Sequence, residues 1–486
     1  MMIPPSTTPA PWRCLLASGR ITVIGGGLAG CEAAWQAARR GVRVDLYEMR
    51  PVRSTPAHRT ADLAELVCSN SLKSNLLDSA SGLLKEEMRR CDSLIVRVAD
   101  GAKVPAGGAL AVDRQRFARD ITAAIEGEPN IDLRREEVQA IPASGPCIIA
   151  TGPLASDDIA RSIAAFTGKD YLYFFDAISP IVEADSIDRS LVFAASRYGK
   201  GGDDYLNCPL SEAEYDRFYH ELIGAAEVPQ HEFETTTGYF EGCLPIEEMA
   251  RRGRETPLFG PMKPVGLIDP RTGRQPFAVV QLRQDSLAAD FYSMVGFQNH
   301  LKFGEQKRIF RMIPGLERAE FPRLGQVHRN SYINAPAILL PTFQARRRRD
   351  LLFAGQISGV EGYLESAASG LIAGINAARL AGAAAPLIFP ASTALGAIAR
   401  YISSADAANY QPTNIAFGLF PPLARPIRDK RQKKAALVRR ALETLDAFLG
   451  TTAPGDGLFP GRPAPGGGVA SLQNLSGSPP AESHIE

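Results

Sequence analysis

Two of the seven cysteines, Cys68 and Cys243, stand in sequence contexts that could make a thiol reactive. Cys68 precedes a Ser-Asn-Ser run, whose residue types cap helices, and Cys243 stands two residues before Pro245, which suits the first turn of a helix. A thiol near a helix N-terminus ionises more readily, and the thiolate is the form that attacks carbon. The spacing therefore predicts two candidate nucleophiles, although either could equally be a small buried side chain.

The sequence contexts of the other five cysteines give less reason to expect a reactive thiol. Cys31 lies in a predicted helix and Cys147 in a predicted strand, where a buried structural role fits best, and Cys14 lies in a proline-rich N-terminal stretch. Cys91 and Cys208 have weaker reactive contexts than Cys68 or Cys243. The seven cysteines are widely scattered and contain no Cys-x-x-Cys pair, so we expect neither a disulfide framework nor a bound metal.

A glycine-rich segment follows the first predicted strand, Arg20–Ile24, and precedes an alanine-rich predicted helix. Gly25, Gly27 and Gly30 have the Gly-x-Gly-x-x-Gly spacing. The first glycine permits a tight turn, the second lets the backbone approach a pyrophosphate, and the third packs helix against strand. The helix N-terminus would face the phosphates with unpaired N–H groups. The order of strand, glycine turn and helix predicts a dinucleotide site.

Two other strand ends would complete this site. The strand predicted at residues 42–47 ends at Glu48, whose carboxylate can accept hydrogen bonds from an adenosine ribose. A later strand ends at Ala354-Gly355-Gln356, which resembles the segment that holds the ribityl and pyrophosphate part of FAD, with Gln in place of the more familiar Asp. We therefore predict bound FAD rather than a nicotinamide. The predicted cofactor contacts are Gly25, Gly26, Gly27, Leu28, Ala29, Gly30, Glu48, Gly355 and Gln356.

The fold class predicted is α/β, with a Rossmann-like FAD-binding domain of the glutathione-reductase type and an inserted α+β domain. Composition is that of a folded globular chain, at 45% hydrophobic and 22% charged residues. Helices are expected at residues 62–90, 113–126 and 366–380, with a buried strand within 146–153. The predicted domains are a flexible extension at 1–19, the FAD-binding domain at 20–180 and 330–450, the insertion at 181–329, and a disordered tail at 451–486.

Longer motifs then give a resemblance to a known family. The sequence resembles the folate- and FAD-dependent tRNA (uracil-5-)-methyltransferases of bacteria, and the similar runs extend over about residues 20 to 445. These runs are Gly-Gly-Gly-Leu-Ala-Gly at 25–30, Glu-Met-Arg-Pro at 48–51, Cys-Ser-Asn-Ser-Leu at 68–72, Val-Pro-Ala-Gly-Gly-Ala-Leu-Ala-Val-Asp-Arg at 104–114, Arg-Tyr-Gly-Lys at 197–200, Gly-Pro-Met-Lys-Pro-Val-Gly-Leu at 260–267, His-Arg-Asn-Ser-Tyr at 328–332 and Gly-Val-Glu-Gly-Tyr-Leu-Glu-Ser at 359–366.

The resemblance implies methylation of carbon 5 of the T-loop uridine of tRNA. Carbon 5 is a weak nucleophile, so a thiolate first adds at carbon 6. Cys243 matches the cysteine that makes this addition, and Cys68 matches one that handles the one-carbon unit on the flavin or serves as base. His328 matches a histidine that stacks on the folate pterin, although a core histidine would also fit. FAD, NADH or NADPH, and 5,10-methylenetetrahydrofolate as co-substrate are the implied cofactors.

The formal net charge of +1 means that tRNA must be attracted by a local patch. Arg346–Arg349 is one candidate. Residues 425–440, with eight Lys or Arg against the single acid Asp429, are the preferred one, although such a run is usually a solvated helix face. The alternatives left open are an rRNA uracil methyltransferase, a wobble-uridine modification enzyme and an RNA-binding flavoprotein without chemistry. We expect a cytoplasmic protein with no membrane segment, because the first 19 residues hold no long apolar run. No obligatory protein partner is expected.

Overall fold

The structure is a computed structural model that describes residues 19–55, 57–168, 172–177, 179–199, 201–228, 244–325 and 327–452, with only the backbone described for 172–177 and 327–330. Its strands are β1 (Arg20–Ile24), β2 (Arg43–Tyr47), β3 (Ser71–Ser74), β4 (Lys103–Val104), β5 (Ala109–Val112), β6 (Ile131–Arg134), β7 (Cys147–Ile149), β8 (Leu172–Ala177), β9 (Ile181–Glu183), β10 (Phe193–Ala194), β11 (Tyr205–Leu210), β12 (Ala278–Gln284), β13 (Phe291–Met294), β14 (Val327–Tyr332) and β15 (Leu351–Phe353). Its α-helices are α1 (Leu28–Ala38), α2 (Ala80–Arg90), α3 (Leu94–Gly101), α4 (Arg114–Glu126), α5 (Asp157–Thr167), α6 (Glu212–Ile223), α7 (Ile246–Arg251), α8 (Thr256–Phe259), α9 (Phe303–Phe310), α10 (Ala335–Ile338), α11 (Tyr363–Ala381), α12 (Ala394–Ser404) and α13 (Lys430–Thr452).

A five-stranded parallel sheet in the order β15-β7-β1-β2-β6 confirms the predicted α/β core. β1 lies at its centre, parallel to β2 on one side and to β7 on the other. The strands are short runs of mostly buried aliphatic residues, as expected for a parallel sheet with both faces covered. The expected strand at 42–47 is present as β2 without its first residue, and the strands expected within 146–153 and before Ala354-Gly355-Gln356 are present as the shorter β7 and β15.

Helices α1 and α11 pack closely against each other beside this sheet. A Cβ atom added to Gly370 would lie 2.2 Å from the carbonyl oxygen of Ala29, and one added to Gly374 would lie 2.4 Å from that of Ala33. Such a close approach of two backbones requires glycine at both positions. The small-residue helix expected at 366–380 is confirmed as α11, and its function is to bring the chain's last α/β segment against the glycine turn.

The prediction of a single helix over residues 62–90 is wrong. Only α2 is helical there, and β3 pairs with β5 in a three-stranded antiparallel sheet with β4. Ala64 and Lys73 have φ angles of 51° and 65°, which no right-handed helix accepts. The hydroxyls of Ser69 and Ser71 accept hydrogen bonds from the backbone two residues on, so these serines stabilise turns in place of a helix.

A second five-stranded sheet, antiparallel and ordered β10-β11-β12-β13-β9, lies between β8 and β14 in the chain. Alternate residues of β12 face opposite sides. Val280 and Leu282 join a hydrophobic cluster with α6, α7 and α9. On the other side, Gln281 and Arg283 are buried polar residues, and Arg283 donates to Asn70 of the cysteine-bearing segment before β3. This second face of the sheet therefore carries buried polar side chains.

The two strands that flank the second sheet in sequence, β8 and β14, pair with each other in antiparallel register. An inserted domain requires its chain to leave and return at neighbouring points, and this pairing meets that condition. The division at residues 180/181 and 329/330 remains a prediction. The extension at 1–18 and the tail from 453 lie outside the described residues, whereas α13 runs to Thr452, two residues into the predicted tail.

No helix in the described stretches is both long and apolar enough to cross a membrane.

Candidate cofactor and catalytic site

A cleft of about 1070 Å³, part of it open to solvent, lies at the carboxyl ends of β1, β2, β7 and β15. Such a crevice is where open α/β sheets bind ligands. Every predicted cofactor contact except Gly30 lines it. The lining residues predicted from the sequence are Gly25, Gly26, Gly27, Leu28, Ala29, Glu48, Gly355 and Gln356.

The three glycines of the turn differ in what surrounds them. Gly25 has a φ of 109°, and a Cβ there would lie 2.4 Å from the Ala150 carbonyl oxygen. A Cβ on Gly30 would lie 1.8 Å from the Gly25 carbonyl oxygen, so Gly30 serves the packing of helix on strand. A Cβ on Gly27 would meet no protein atom within 4 Å, because Gly27 borders open cleft at the N-terminus of α1.

Glu48 is buried at the end of β2, and the protein binds both of its carboxylate oxygens. Oε2 accepts a hydrogen bond from the Gly26 N–H at 2.9 Å, and Oε1 accepts from the backbone and side chain of Arg50 at 3.0 and 2.9 Å. Burial acts to raise the pKa of Glu48, but the hydrogen bonds from Arg50 hold that pKa below its usual value. Each oxygen has two acceptor positions, so Oε2 keeps one for a ribose hydroxyl.

Four residues on one wall of this cleft, Arg50, Thr55, His58 and Glu65, were missed by the sequence analysis. Arg50 is nearly fully buried and pairs with Glu65 at 3.2 Å as well as with Glu48. His58 lines the same wall, with Nδ1 2.6 Å from the Thr55 hydroxyl, and burial lowers its pKa to about 4. In the sequence, Arg50 stood out only as a member of the Glu-Met-Arg-Pro run, and that motif gave the residue no role.

The opposite wall of the cleft is formed after β7 and β15. Gly355 has a φ of 79°, and its N–H donates to the Ser369 hydroxyl at 2.7 Å. The Gln356 side chain donates to Glu361 at 2.8 Å. Thr151, which also lines the cleft, has a buried hydroxyl with no hydrogen-bond partner in the described part of the chain. An unpartnered buried hydroxyl next to a cleft is suited to a bound ligand.

Cys68 lies in an irregular segment, residues 66–70, and not at a helix N-terminus as predicted. The next helix, α2, begins only at Ala80 and is capped by Ser79. The Cys68 N–H donates to the Tyr363 hydroxyl at 2.6 Å, and the Ser69 N–H donates to the same hydroxyl at 3.3 Å. Because Tyr363 lines the cleft, the segment that carries Cys68 is bound to the cleft's rim.

Two arginines from distant parts of the chain hold this Cys68 segment from the other side. Arg283 of β12 donates from Nε to Asn70 Oδ1 and from Nη2 to the Ser69 hydroxyl, both at 2.8 Å. Arg114 of α4 donates to the Leu66 carbonyl at 2.8 Å. Its Nε contacts both oxygens of Asp285, at 2.9 and 3.0 Å. The second sheet therefore takes part in positioning Cys68.

The charges around Cys68 are mainly positive. Arg114, Arg283 and Arg323 all lie within electrostatic range of its thiol, whereas Asp285 is paired with Arg114. Burial lowers the pKa of Arg283 and of Arg323, which means that both guanidinium groups are held in a poorly solvated region. These charges would stabilise a thiolate at Cys68. Positive side chains, and not the predicted helix N-terminus, therefore surround the thiol.

The other described cysteines are buried, which confirms the structural interpretation of Cys31 and Cys147. Burial raises the pKa of the Cys147 thiol to about 12 and raises that of Cys31 further above its ordinary value. Cys31 donates to the Gly26 carbonyl at 3.2 Å behind the glycine turn. Cys91 and Cys208 are buried too.

For the two remaining predicted site residues, Cys243 and His328, the side chains are not described by the structure. Cys243 lies outside the described residues, although Pro245 precedes α7 as its N-cap, in agreement with the expected helix start. His328 lies on β14, opposite residue 176 of β8, and its side chain is not described. Both assignments stay predictions.

Both basic candidates are largely exposed, since Arg346, Arg347 and Arg349 are exposed in the first, but the second is the larger basic surface. In the first, Arg346 donates to the Ser403 carbonyl and Arg348 pairs with Asp350. In the second, Asp429 caps the start of α13 by accepting from the Gln432 N–H. The exposed side chains of this basic surface are Arg425, Arg428, Lys430, Arg431, Lys433, Lys434 and Arg439.

The fold is similar to that of solved GidA structures. Aquifex aeolicus GidA in one crystal form has a TM-score of 0.66 over 94% of this chain and 75% of that chain, at 16% identity. A second crystal form of the same protein has a TM-score of 0.67 over 90% of this chain. At this level of identity the similarity shows the fold alone, and it agrees with the predicted Rossmann-like architecture.

Other proteins are much more similar to this chain in sequence. The family model described as glucose inhibited division protein A matches residues 20–384. Proteins named methylenetetrahydrofolate--tRNA-(uracil-5-)-methyltransferase TrmFO are 59% identical in Heliobacterium modesticaldum and 60% identical in Pelotomaculum thermopropionicum. The alignments cover 88% and 89% of this chain and 98% of each relative. The chain therefore belongs to the TrmFO family of methylenetetrahydrofolate-dependent tRNA (uracil-5-)-methyltransferases, within the wider glucose-inhibited division protein A family.

Proposed function

We propose that this chain methylates carbon 5 of the T-loop uridine of tRNA, with methylenetetrahydrofolate as carbon donor, FAD as bound cofactor and NADH or NADPH as reductant. The observation that carries the proposal is the attachment of the Cys68 segment to Tyr363 at the rim of the dinucleotide cleft. A potential thiolate beside a cofactor cleft suits one-carbon transfer. Relatives that are named methylenetetrahydrofolate--tRNA-(uracil-5-)-methyltransferase and that match over nearly their full length support the same activity.

The residues of the cleft fit FAD. Gly27 leaves open space at the N-terminus of α1, where N–H groups can bind a pyrophosphate. Glu48 keeps an acceptor for a ribose hydroxyl, and the Thr151 hydroxyl needs a partner. Bound FAD would supply hydride and one-carbon chemistry that amino-acid side chains lack.

Around the cofactor, the chain's own groups position the thiol and control protons. Burial raises the pKa of the Tyr363 phenol well above neutrality, so its hydroxyl stays protonated while it accepts the Cys68 and Ser69 N–H groups. The phenol can therefore donate its own proton to a ligand in the cleft. Arg114 and Arg283 fix the segment on its far side and favour the thiolate of Cys68 electrostatically.

Cys243 is assigned as the nucleophile that adds to uracil carbon 6, by its match to the family motif. Addition forms a bond between sulfur and carbon 6 and moves an electron pair towards carbon 5, which then attacks the one-carbon unit. Loss of the carbon 5 proton and elimination of the thiolate restore the pyrimidine, and a hydride that derives from NADH or NADPH would reduce the transferred methylene carbon to the methyl group. In this scheme Cys68 handles the one-carbon unit or removes that proton, and His328 stacks on the pterin.

The partner that this chemistry requires is tRNA, and the basic surface on α13 suits a polyanion. Such an enzyme would act in the cytoplasm and would need no further protein partner.

The test is turnover with isotope in the methylene group of methylenetetrahydrofolate. Purified protein, NADPH and an unmodified tRNA transcript should yield 5-methyluridine that carries the label, detected by nucleoside mass spectrometry. A reaction that takes its label only from S-adenosylmethionine would refute the proposal, as would a protein that is colourless and cannot be reconstituted with FAD.

A further inference from the structure

Tyr198 adopts a backbone conformation that is unusual for an aromatic residue. Its φ and ψ are 58° and 24°, in the left-handed region, and its side chain is 61% exposed. Its N–H donates to the Gly266 carbonyl at 2.9 Å, and its ring covers Gly266, where an added Cβ would lie 2.9 Å from two ring atoms. Strain of this kind persists where the surroundings impose it, and it concentrates at functional sites.

The loop that supports the ring presents apolar side chains beside it. Val265 and Ile268 flank Gly266 and Leu267 and are 42% and 57% exposed. Leu267 is buried against Phe193 and Val279, which anchors this loop to the second sheet. The ring of Tyr198 is therefore fixed on a rigid base and presented to solvent.

Arg197 places a cation next to this ring. Its Nε donates to Gln281 Oε1 at 2.9 Å and its Nη1 to the Val265 carbonyl at 3.0 Å, so these two bonds orient the guanidinium through neutral partners. Guanidinium has five N–H donors, so most of them remain available to a ligand. No carboxylate pairs with Arg197 in the described ranges, which leaves its charge uncompensated there.

This surface is continuous with the candidate catalytic site. Gln281, which holds Arg197, and Arg283, which holds the Cys68 segment, stand two residues apart on the same face of β12. Residues so spaced on a strand are about 7 Å apart. A second link lies beside it, since Gly107 donates to Asp204 and Tyr205 donates to the Ala106 carbonyl.

We propose that the Tyr198 surface, formed by Arg197, Tyr198, Val265 and Ile268, binds unpaired nucleotides of the substrate RNA next to the uridine that is modified. RNA loops are recognised by stacking their bases on aromatic rings and arginine planes, with cations for the phosphates. An exposed, rigid tyrosine beside an uncompensated arginine offers both contacts. The continuity with the Cys68 segment makes the RNA loop, rather than another protein, the matching partner.

This inference rests on the proposed function, since it assigns part of the RNA contact of the same enzyme. The test measures the Kd for an unmodified tRNA transcript by filter binding, with Tyr198→Ala, Tyr198→Phe and Gly266→Ala. Phe303→Ala is the matched control, because Phe303 is a 51% exposed aromatic residue on α9, which packs on the opposite face of the second sheet. Bound FAD and thermal melting report on folding.

Tyr198→Ala should weaken tRNA binding roughly 5- to 160-fold, the range for loss of one base–aromatic stack, and should leave the salt dependence of binding unchanged. Tyr198→Phe keeps the ring and should bind tRNA like the wild type. Gly266→Ala should weaken tRNA binding, because its added methyl group displaces that ring. In wild type, tRNA with 4-thiouridine in the T-loop should crosslink to the peptide that contains Tyr198.

Unchanged binding by a folded Tyr198→Ala variant would overturn the inference, and so would an equal loss in Phe303→Ala. A change in self-association or protein capture without a change in tRNA affinity would also overturn it and assign the surface to a protein partner. If wild type itself neither binds nor methylates tRNA, the proposed function fails first, and the inference fails with it.

Discussion

Replacement of Arg283 by methionine should loosen the Cys68 segment while leaving most of the protein intact. Arg283 is 8% exposed and makes two hydrogen bonds of 2.8 Å to that segment, to Asn70 Oδ1 and to the Ser69 hydroxyl. A hydrogen bond from a charged donor is worth about 1.5 to 3 kcal/mol, so about 3 to 6 kcal/mol of local interaction is lost. Methionine fills similar space without either bond.

The effect on the unfolding free energy should be smaller. Arg283 has no carboxylate partner among the residues that the structure describes, and a buried guanidinium of this kind carries a desolvation cost of several kcal/mol, which the substitution removes. The two contributions oppose each other, so we expect a net loss of under about 2 kcal/mol. Opening of the segment breaks both bonds in the wild type and neither in the variant, so hydrogen exchange there should become faster by at least the value of one such bond, roughly 10-fold or more.

Hydrogen-exchange mass spectrometry would measure this change in the peptide that contains residues 66–70. Arg271→Met is the matched control, because Arg271 belongs to the same part of the chain but pairs with Asp269. Arg283→Lys keeps the charge but not the two-point contact, and it should give an intermediate rate. Equal protection of residues 66–70 in wild type and Arg283→Met, or an equal increase in Arg271→Met, would refute the argument.

Four further results are expected. Gly27→Val should fold yet lose FAD absorbance, because its side chain occupies only the cleft; a yellow variant would contradict this. Cys243→Ala should keep FAD and tRNA binding but form no 5-methyluridine, and it should lose the covalent adduct that 5-fluorouracil RNA forms with wild type; an adduct mapped to another cysteine would reverse the assignment. Burial raises the pKa of Glu87 to about 8. The stability that its protonated form contributes is therefore fully present below about pH 4.5 and is lost as pH rises through 8. In denaturation experiments, the unfolding free energy of Glu87→Gln should depend less on pH than that of the wild type. Joint replacement of Lys433 and Lys434 by alanine should weaken tRNA binding and reduce the slope of log K against log salt by about 1.4 to 1.8 at most; an unchanged slope would remove α13 from the RNA surface.

The dinucleotide cleft could be predicted because its geometry is local. Gly25, Gly27 and Gly30 act within a single turn, and Glu48 follows on the neighbouring strand, so short-range spacing was sufficient. The buried network of Arg50 and Glu65 was missed because those residues form it only when the chain folds back beyond β2. Membership of the family was visible in motifs distributed over most of the chain.

The setting of Cys68 shows where local reasoning failed. The sequence predicted a helix after it, because Ser-Asn-Ser is a capping run, but β3 pairs with β5 and the serines stabilise turns instead. Pairing between strands is a contact between distant segments, so it can override local preference. The positions of Cys243 and His328 as site residues continue to rest on the resemblance.

The sequence by itself determined the glycine turn, the order of the α/β elements and the family, since these depend on residue type and spacing along the chain. Only the tertiary structure decided what surrounds Cys68. Its neighbours Tyr363 and Arg283 come from 295 and about 215 residues away, and Arg114 from about 46. No local pattern specifies such partners, because burial and sheet pairing bring them together only when the whole chain is folded.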